Sequence, residues 1–240
     1  MKLSNERNLQ FIKILNDKGR IIFFTAENDG DFYILSKSFQ QNINNVKSLF
    51  NLKDLGFSKQ THSDIVNIFD GTVKEGDALV TNARKVAVGV FMADCVPVLI
   101  YDKEKQVCAA VHSGWKGTYS HITAKTIETL VEKYHCNLED IYIYIGPHIG
   151  GCCYQVGQEL IEKFSSDELY KEWNIIEDNR LNLSNCIKAQ CLNKGINLEH
   201  IYDLDLCTLC SEEKSGIKLH SYRKLKEKSG RLLSLIYIED

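Results

Sequence analysis

His62, Cys95 and His112 are the residues whose types and placement could do chemistry together. Two imidazoles and a thiolate suit zinc or copper, and three protein donors leave a fourth position open to water or substrate, which separates a catalytic from a structural zinc. Each stands beside a strand-like run, in a segment rich in small or turn-forming residues. Spacing alone favours a plainer reading, two hydrogen-bonded histidines and a small buried thiol. Cys207-x-x-Cys210 has redox or half-zinc spacing, but no second CxxC completes a ribbon. Packing accounts for that pair and equally for Cys152 and Cys153.

The elements that must position these side chains follow from pattern. Strands are expected over residues 11–15, 21–25 and 31–35, then a helical segment through 45–52, a weakly alternating strand at 63–69 and a short one at 78–81. The apolar run 86–101 is interrupted by Ala93-Asp94-Cys95-Val96-Pro97. Pro97 cannot donate to a sheet ladder, so the run is two strands or one bent strand, with Cys95 in an irregular joint. Strand 107–111 runs into His112-Ser113-Gly114-Trp115-Lys116-Gly117. Beyond it, Ile127, Leu130, Val131 and Tyr134 fall at i, i+3, i+4 and i+7 and predict a helix over about 118–134. Leu183, Ile187 and Cys191 mark one face of a later helix that Gly195 can stop, and strands at 141–145, 201–206 and 232–238 close the pattern. Antiparallel-looking strands first, interleaved helices later and no internal repeat point to an α+β fold, a mixed β-sheet packed by helices with the site at strand ends.

Composition narrows the function classes. With 240 residues, only 2 Pro and no low-complexity tract to mark a linker, residues 1–240 read as a single domain. A net charge of -3 leaves no broad basic face for nucleic acid, so any bound anion should be small. The N-terminus has no apolar core of signal-peptide length and no run approaches a membrane span, so a cytoplasmic location with no membrane partner is expected. Nine Cys at irregular spacing make a poor disulfide framework, which favours reduced thiols, buried or metal-bound.

Longer motifs carry a resemblance. Gln60-Thr61-His62-Ser63-Asp64, Gly76-Asp77-Ala78-Leu79-Val80-Thr81, Ala93-Asp94-Cys95-Val96-Pro97-Val98 and Ala110-Val111-His112-Ser113-Gly114-Trp115-Lys116-Gly117 resemble the laccase-domain family, also called the multicopper polyphenol oxidase domain and more recently purine nucleoside phosphorylase. Ile145-Gly146-Pro147-His148-Ile149, Cys153-Tyr154-Gln155-Val156, Leu206-Cys207-Thr208 and Ser221-Tyr222-Arg223-Lys224 agree in order. The resemblance implies zinc at His62, Cys95 and His112, with copper as the other metal. It implies phosphorolysis of adenosine, inosine and methylthioadenosine, with adenosine deamination beside it, so that the partners are a small nucleoside and phosphate.

Other roles remain open in sequence. Asp94 could orient a metal ligand or the substrate, or stabilise its turn. Lys116, just before the expected helix, could hold phosphate or be a solvated lysine. Arg223 could grip phosphate bidentately, while Lys224 replaces the family's usual second arginine by a point charge. The family's usual arginine and paired glycines after the early strand are replaced by Phe24-Thr25-Ala26-Glu27-Asn28-Asp29-Gly30. Ala26 cannot supply a guanidinium. His148, after Gly146-Pro147 at a strand end, could line the pocket but reads better as a turn histidine and is left outside the expected site. Against phosphorolysis stand a multicopper oxidase, for which 7 His are few, an amidase that edits cell-wall precursors, and a non-catalytic zinc protein.

Overall fold

The computed structural model describes residues 2–27 and 30–240, Lys2 by its backbone alone. Strands β1 (Lys2–Glu6), β2 (Leu9–Asn16) and β3 (Gly19–Phe24) precede helix α1 (Phe39–Leu49). Then come β4 (Asp54–Gly56), β5 (Val66–Ile68), β6 (Ala78–Thr81), β7 (Val86–Met92), β8 (Val96–Asp102) and β9 (Val107–Ser113). Helices α2 (Trp115–Tyr119) and α3 (Ile122–Tyr134), strand β10 (Ile141–Ile145), helix α4 (Gln158–Ser165), the two-residue strands β11 (Ile176–Glu177) and β12 (Arg180–Leu181) and helix α5 (Leu183–Asn193) follow. Strand β13 (Ile201–Asp203), helices α6 (Ser211–Ser215) and α7 (Tyr222–Leu225) and strand β14 (Leu232–Ile238) complete the order.

The long strands form two mixed sheets, ordered β1-β2-β3-β14-β7-β4 and β13-β10-β8-β9-β6-β5. Side chains alternate across a strand, so each sheet needs cover on both faces. Val88, Val90, Met92 and Ile236 of the first sheet pack against Leu99, Tyr101, Cys108 and Ala110 of the second. The opposite face of the second sheet, with Val98, Ile100, Ala109 and Ile143, packs on Ile122, Ile127 and Leu130 of α3 and Leu183, Ile187 and Cys191 of α5. The outer face of the first sheet, with Phe11, Ile22, Ala87 and Leu235, takes Phe39, Ile43 and Val46 of α1. The fold is therefore α+β, mixed sheets packed by helices, in layers of helix, sheet, sheet, helix. His112 has the parity of Cys108 and Ala110, which aims it into the layer between the sheets at the end of β9.

Four local expectations are corrected. Residues 31–35 form no strand: Asp31 Oδ1 accepts the N–H groups of Tyr33 at 2.8 Å and Arg231 at 2.9 Å, which turns the chain. Helix α1 begins at Phe39 rather than near 45, because its apolar positions Phe39, Ile43 and Val46 already share one face. The helix expected over 118–134 is two helices, broken where His121 takes a left-handed φ of 59°. The run 86–101 is two strands with Cys95 in the joint, as expected, the joint being confined to residues 93–95 and Pro97 lying inside β8 opposite His112. The strand expected to reach 206 stops at Asp203.

Candidate metal centre and substrate cavity

Three chain segments meet where the inter-sheet layer opens. The loop before β5 brings His62, the β7–β8 joint brings Cys95, and the end of β9 brings His112. Their donor atoms all lie within 4.8 Å of one another. Cys95 Sγ is 3.9 Å from His62 Nε2, and the two imidazole centroids are 5.0 Å apart. Gly114 is required beside them, since a Cβ there would stand 2.9 Å from Cys95 Sγ and 3.1 Å from His62 Cδ2.

Asp77 organises this corner. Its fully buried carboxylate accepts the backbone N–H groups of Thr61, His62 and Ser63, the hydroxyl of Ser63 at 2.7 Å, and Nδ1–H of His112 at 2.8 Å. Burial pushes this carboxyl up, but the bonds from His112 and Ser63 overcome that and hold it far below the ordinary carboxylate range. These bonds hold His62 at φ 57°, a conformation that costs a non-glycine residue energy unless its surroundings fix it. The bond at Nδ1 fixes the His112 tautomer and leaves Nε2 as the free donor, the usual outer-shell arrangement of a metal-binding histidine.

Charge then follows position. Burial raises the Cys95 thiol, yet the His112 and His62 imidazoles more than offset it and bring it down to about 6. Burial lowers His112, while the Cys95 sulfur and Asp77 lift it to about 9. Two imidazoles and a readily ionised thiol in contact fit a borderline-soft divalent cation such as zinc, and the donor set also accommodates copper.

The trio floors a cavity of about 560 Å³, within the range of small-molecule sites. Phe32, Tyr33, Phe91 and Tyr222 give it flat apolar walls. Arg231 lines it too, its guanidinium carbon 5.1 Å from the Tyr33 ring centroid and 5.9 Å from that of Tyr222, with Nη1 donating to the carbonyls of Ser229 and Gly230 at 3.0 Å. Gln60 closes another wall through paired hydrogen bonds with the backbone of Phe91.

The remaining sequence candidates lie outside this lining. Asp94, at φ 90°, accepts the Thr208 hydroxyl and the Arg223 N–H, each at 2.6 Å, so it ties the joint carrying Cys95 to two later loops. The Arg223 guanidinium donates to the Gln155 carbonyl at 2.9 Å and stacks over Tyr154. Lys116 is exposed, its Nζ 5.7 Å over the Trp115 ring. His148 is buried, Nδ1–H donating to the Gly146 carbonyl at 2.8 Å. Ala26 is buried in the inter-sheet cluster, while Asn28 and Asp29 lie outside the described residues. Sequence reasoning missed the work of Asp77 and Arg231. Asp77 sat in a quoted motif with no role, and Arg231 is a lone loop arginine without periodicity.

Stacked mixed sheets with a two-histidine, one-cysteine centre at the mouth between them define the class. The chain belongs to the multi-copper polyphenol oxidoreductase laccase family, whose model matches residues 35–239. It is 43% identical over 238 residues to a purine nucleoside phosphorylase of Clostridium acetobutylicum, covering 98% of this chain and 99% of that protein. Against a purine nucleoside phosphorylase of Borreliella burgdorferi it is 34% identical over 182 residues, 73% of this chain and 76% of that one. The crystal structure of Bacillus licheniformis hypothetical protein YfiH shares the fold at a TM-score of 0.86, with 24% identity over 99% of each chain. No described helix is long and apolar enough to cross a membrane.

Proposed function

We propose that this chain, residues 1–240 acting as one unit in the cytoplasm, is a zinc-dependent purine nucleoside phosphorylase taking adenosine, inosine and methylthioadenosine, with adenosine deamination as a side activity. The observation that carries the reading is the aromatic cavity of about 560 Å³ floored by His62, Cys95 and His112. Phosphorolysis breaks the bond from C1′ of the ribose to the purine nitrogen, joins a phosphate oxygen to C1′, and releases the base with a proton. A divalent cation held by the three side chains would supply a Lewis acid beside the reacting groups.

The chain's own residues have separable tasks. Phe32, Tyr33, Phe91 and Tyr222 offer flat faces to a purine and exclude water from it. Arg231, sandwiched between two tyrosines, presents a fixed positive charge for phosphate, whose dianion in turn stabilises the positive ribose that forms as the base departs. Arg223 and Lys116 add charge at longer range, and Asp94 holds the Cys95 joint. A multicopper oxidase is the weaker reading because three of the other five histidines are engaged elsewhere. His121 pairs with Asp167, His200 stacks on Tyr142, and His148 is bonded to Gly146.

The test incubates metal-quantified protein with adenosine or inosine, with and without phosphate. Ribose 1-phosphate made only with phosphate supports phosphorolysis, whereas free ribose indicates a hydrolase, and inosine from adenosine reports the deaminase arm. Absence of all three products, together with cleavage of a cell-wall precursor amide, replaces the reading by the editing amidase. Arg231→Ala should cost about 1.5 to 3 kcal/mol of transition-state binding, seen chiefly as a higher phosphate requirement with unchanged metal content.

A further inference from the structure

Away from the cavity, Cys152, Cys153, Cys207 and Cys210 form a second group whose sulfurs all lie within 4.8 Å of one another. Packing alone does not explain it, because Cys152 is exposed and only Cys207 of the four is buried. We propose that these four cysteines form a closed tetrathiolate zinc site, independent of the His62, Cys95 and His112 centre.

Distances favour a shared ion over a disulfide. Cys152 Sγ and Cys210 Sγ are 3.8 Å apart. Four sulfurs about 2.3 Å from one zinc in a tetrahedron stand about 3.8 Å from each other, while a disulfide brings two sulfurs to about 2.0 Å. Adjacent Cys152 and Cys153 would point apart in an extended chain. Here the chain turns, with the N–H groups of Cys153 and Tyr154 both donating to the Gly150 carbonyl at 2.9 Å, and both sulfurs reach one side.

The surroundings suit thiolates. Cys207 Sγ accepts the Gly150 N–H at 3.3 Å, and although burial raises its pKa, the nearby backbone N–H groups of Gly150, Leu209 and Cys210 lower it below the ordinary value. The Lys214 ammonium lies close to Cys210, whose sulfur raises its pKa. Four thiols taking up one divalent cation release four protons and leave a doubly negative centre, which these N–H groups and Lys214 partly offset. No electron transfer is involved. Zinc fits because four thiolates in a tetrahedron suit a closed structural site with no position for substrate.

Such an ion would clasp the loop after β10 to the loop after β13. Those loops already touch, since the His148 N–H donates to the Leu206 carbonyl and the Thr208 N–H donates to the His148 carbonyl. The clasp sits next to Gln155, which accepts from Arg223, and Thr208, which donates to Asp94.

The experiment measures zinc per chain by elemental analysis in the full-length protein, untagged and purified under reducing conditions. Wild type should hold about two zinc ions, Cys95→Ala about one, and the double variant Cys152→Ser with Cys210→Ser about one. Should the double variant fail to fold, cobalt substitution of Cys95→Ala decides. A strong thiolate-to-cobalt charge-transfer band with tetrahedral visible bands is expected, because only the four-cysteine site remains. No such band, zinc absent from Cys95→Ala, iron in place of zinc, or a Cys152–Cys210 disulfide by non-reducing peptide mapping would each overturn the proposal. Loss of zinc in Cys95→Ala down to one ion also leaves the catalytic reading intact, so the two proposals fail separately.

Discussion

The two cysteine-bearing corners differ in what stands behind the donors. Behind His112 is a fully buried carboxylate, and in front of the trio is a cavity with aromatic walls. Behind Cys207 are backbone N–H groups of its own loops, and the sulfurs face one another. A carboxylate-anchored imidazole keeps its direction while the rest of the centre exchanges ligands, whereas a ring of thiolates satisfies itself and closes. The first arrangement suits chemistry and the second suits fastening.

Removing one donor from each corner gives the largest expected contrast. Cys95→Ala should lower phosphorolysis by roughly a thousandfold or more, the several kcal/mol that a Lewis acid supplies, with circular dichroism unchanged. Cys210→Ser should leave a folded protein with at least about a tenth of its activity but a lower melting temperature. Equal activity losses in the two variants would erase the distinction between chemistry and fastening.

Asp77 sharpens the comparison from the other side. Asp77→Ala leaves the N–H groups of Thr61, His62 and Ser63 and Nδ1 of His112 without their shared acceptor. Stability should fall by about 3 to 5 kcal/mol in urea titrations, as for a broken buried pair, and zinc affinity by roughly 10 to 100-fold. A variant as stable as wild type would mean that the carboxylate orders nothing.

The metal-free trio should also be pH-sensitive in a way the rest of the chain is not. Cys95 is depressed from 9.0 to about 6, so its contribution to stability is full above 9 and is lost as pH falls through about 6. His112 is raised from 6.5 to about 9, so its contribution is full below 6.5 and is lost as pH rises through about 9. Stripped protein should therefore resist urea best between these limits. Alkylation of Cys95 should begin near pH 6, well below the onset for Cys108, whose thiol burial pushes far up. Parallel alkylation curves for the two thiols would remove the thiolate–imidazolium pair.

How much of this the sequence disclosed depends on range. β8 and β9 were legible because strands buried on both faces read as unbroken apolar runs, and α5 because Leu183, Ile187 and Cys191 repeat at helical spacing. That His62, Cys95 and His112 belong together was legible through the motifs that surround each residue, and the structure brings their donor atoms within 4.8 Å of one another. Second sheets, Asp77 and the four-cysteine group were not, because each depends on pairing between distant segments. Cys152 and Cys210 are 58 residues apart, and the parallel pairing of β10 with β13, continued by the bridge between His148 and Cys207, brings their loops to one edge. Arg231 stayed hidden since its place is set by Asp31 at the far end of the chain, 200 positions away. The break at His121 was invisible because the apolar face of α3 continues the period that α2 begins.

The smallest effect tests the seam between the two corners. Thr208 follows Cys207 directly, and its hydroxyl donates to Asp94 Oδ1 at 2.6 Å, next in sequence to Cys95. Asp94 keeps its second bond, from the Arg223 N–H to Oδ2, when Thr208 is changed. Thr208→Val preserves shape and removes only the hydroxyl, a hydrogen bond to a charged group worth about 1.5 to 3 kcal/mol, part of which water recovers at a half-exposed carboxylate. Activity should fall less than about tenfold, with zinc retained at both corners and a modest drop in melting temperature. The informative readout is the double-mutant cycle with Cys210→Ser. If the fastener positions the Cys95 joint through Thr208, the two losses should be less than additive, because the second change removes a link the first has already slackened. Strict additivity would mean that the corners share a wall but not a linkage, and the four-cysteine site would then fasten its own loops without steadying Cys95.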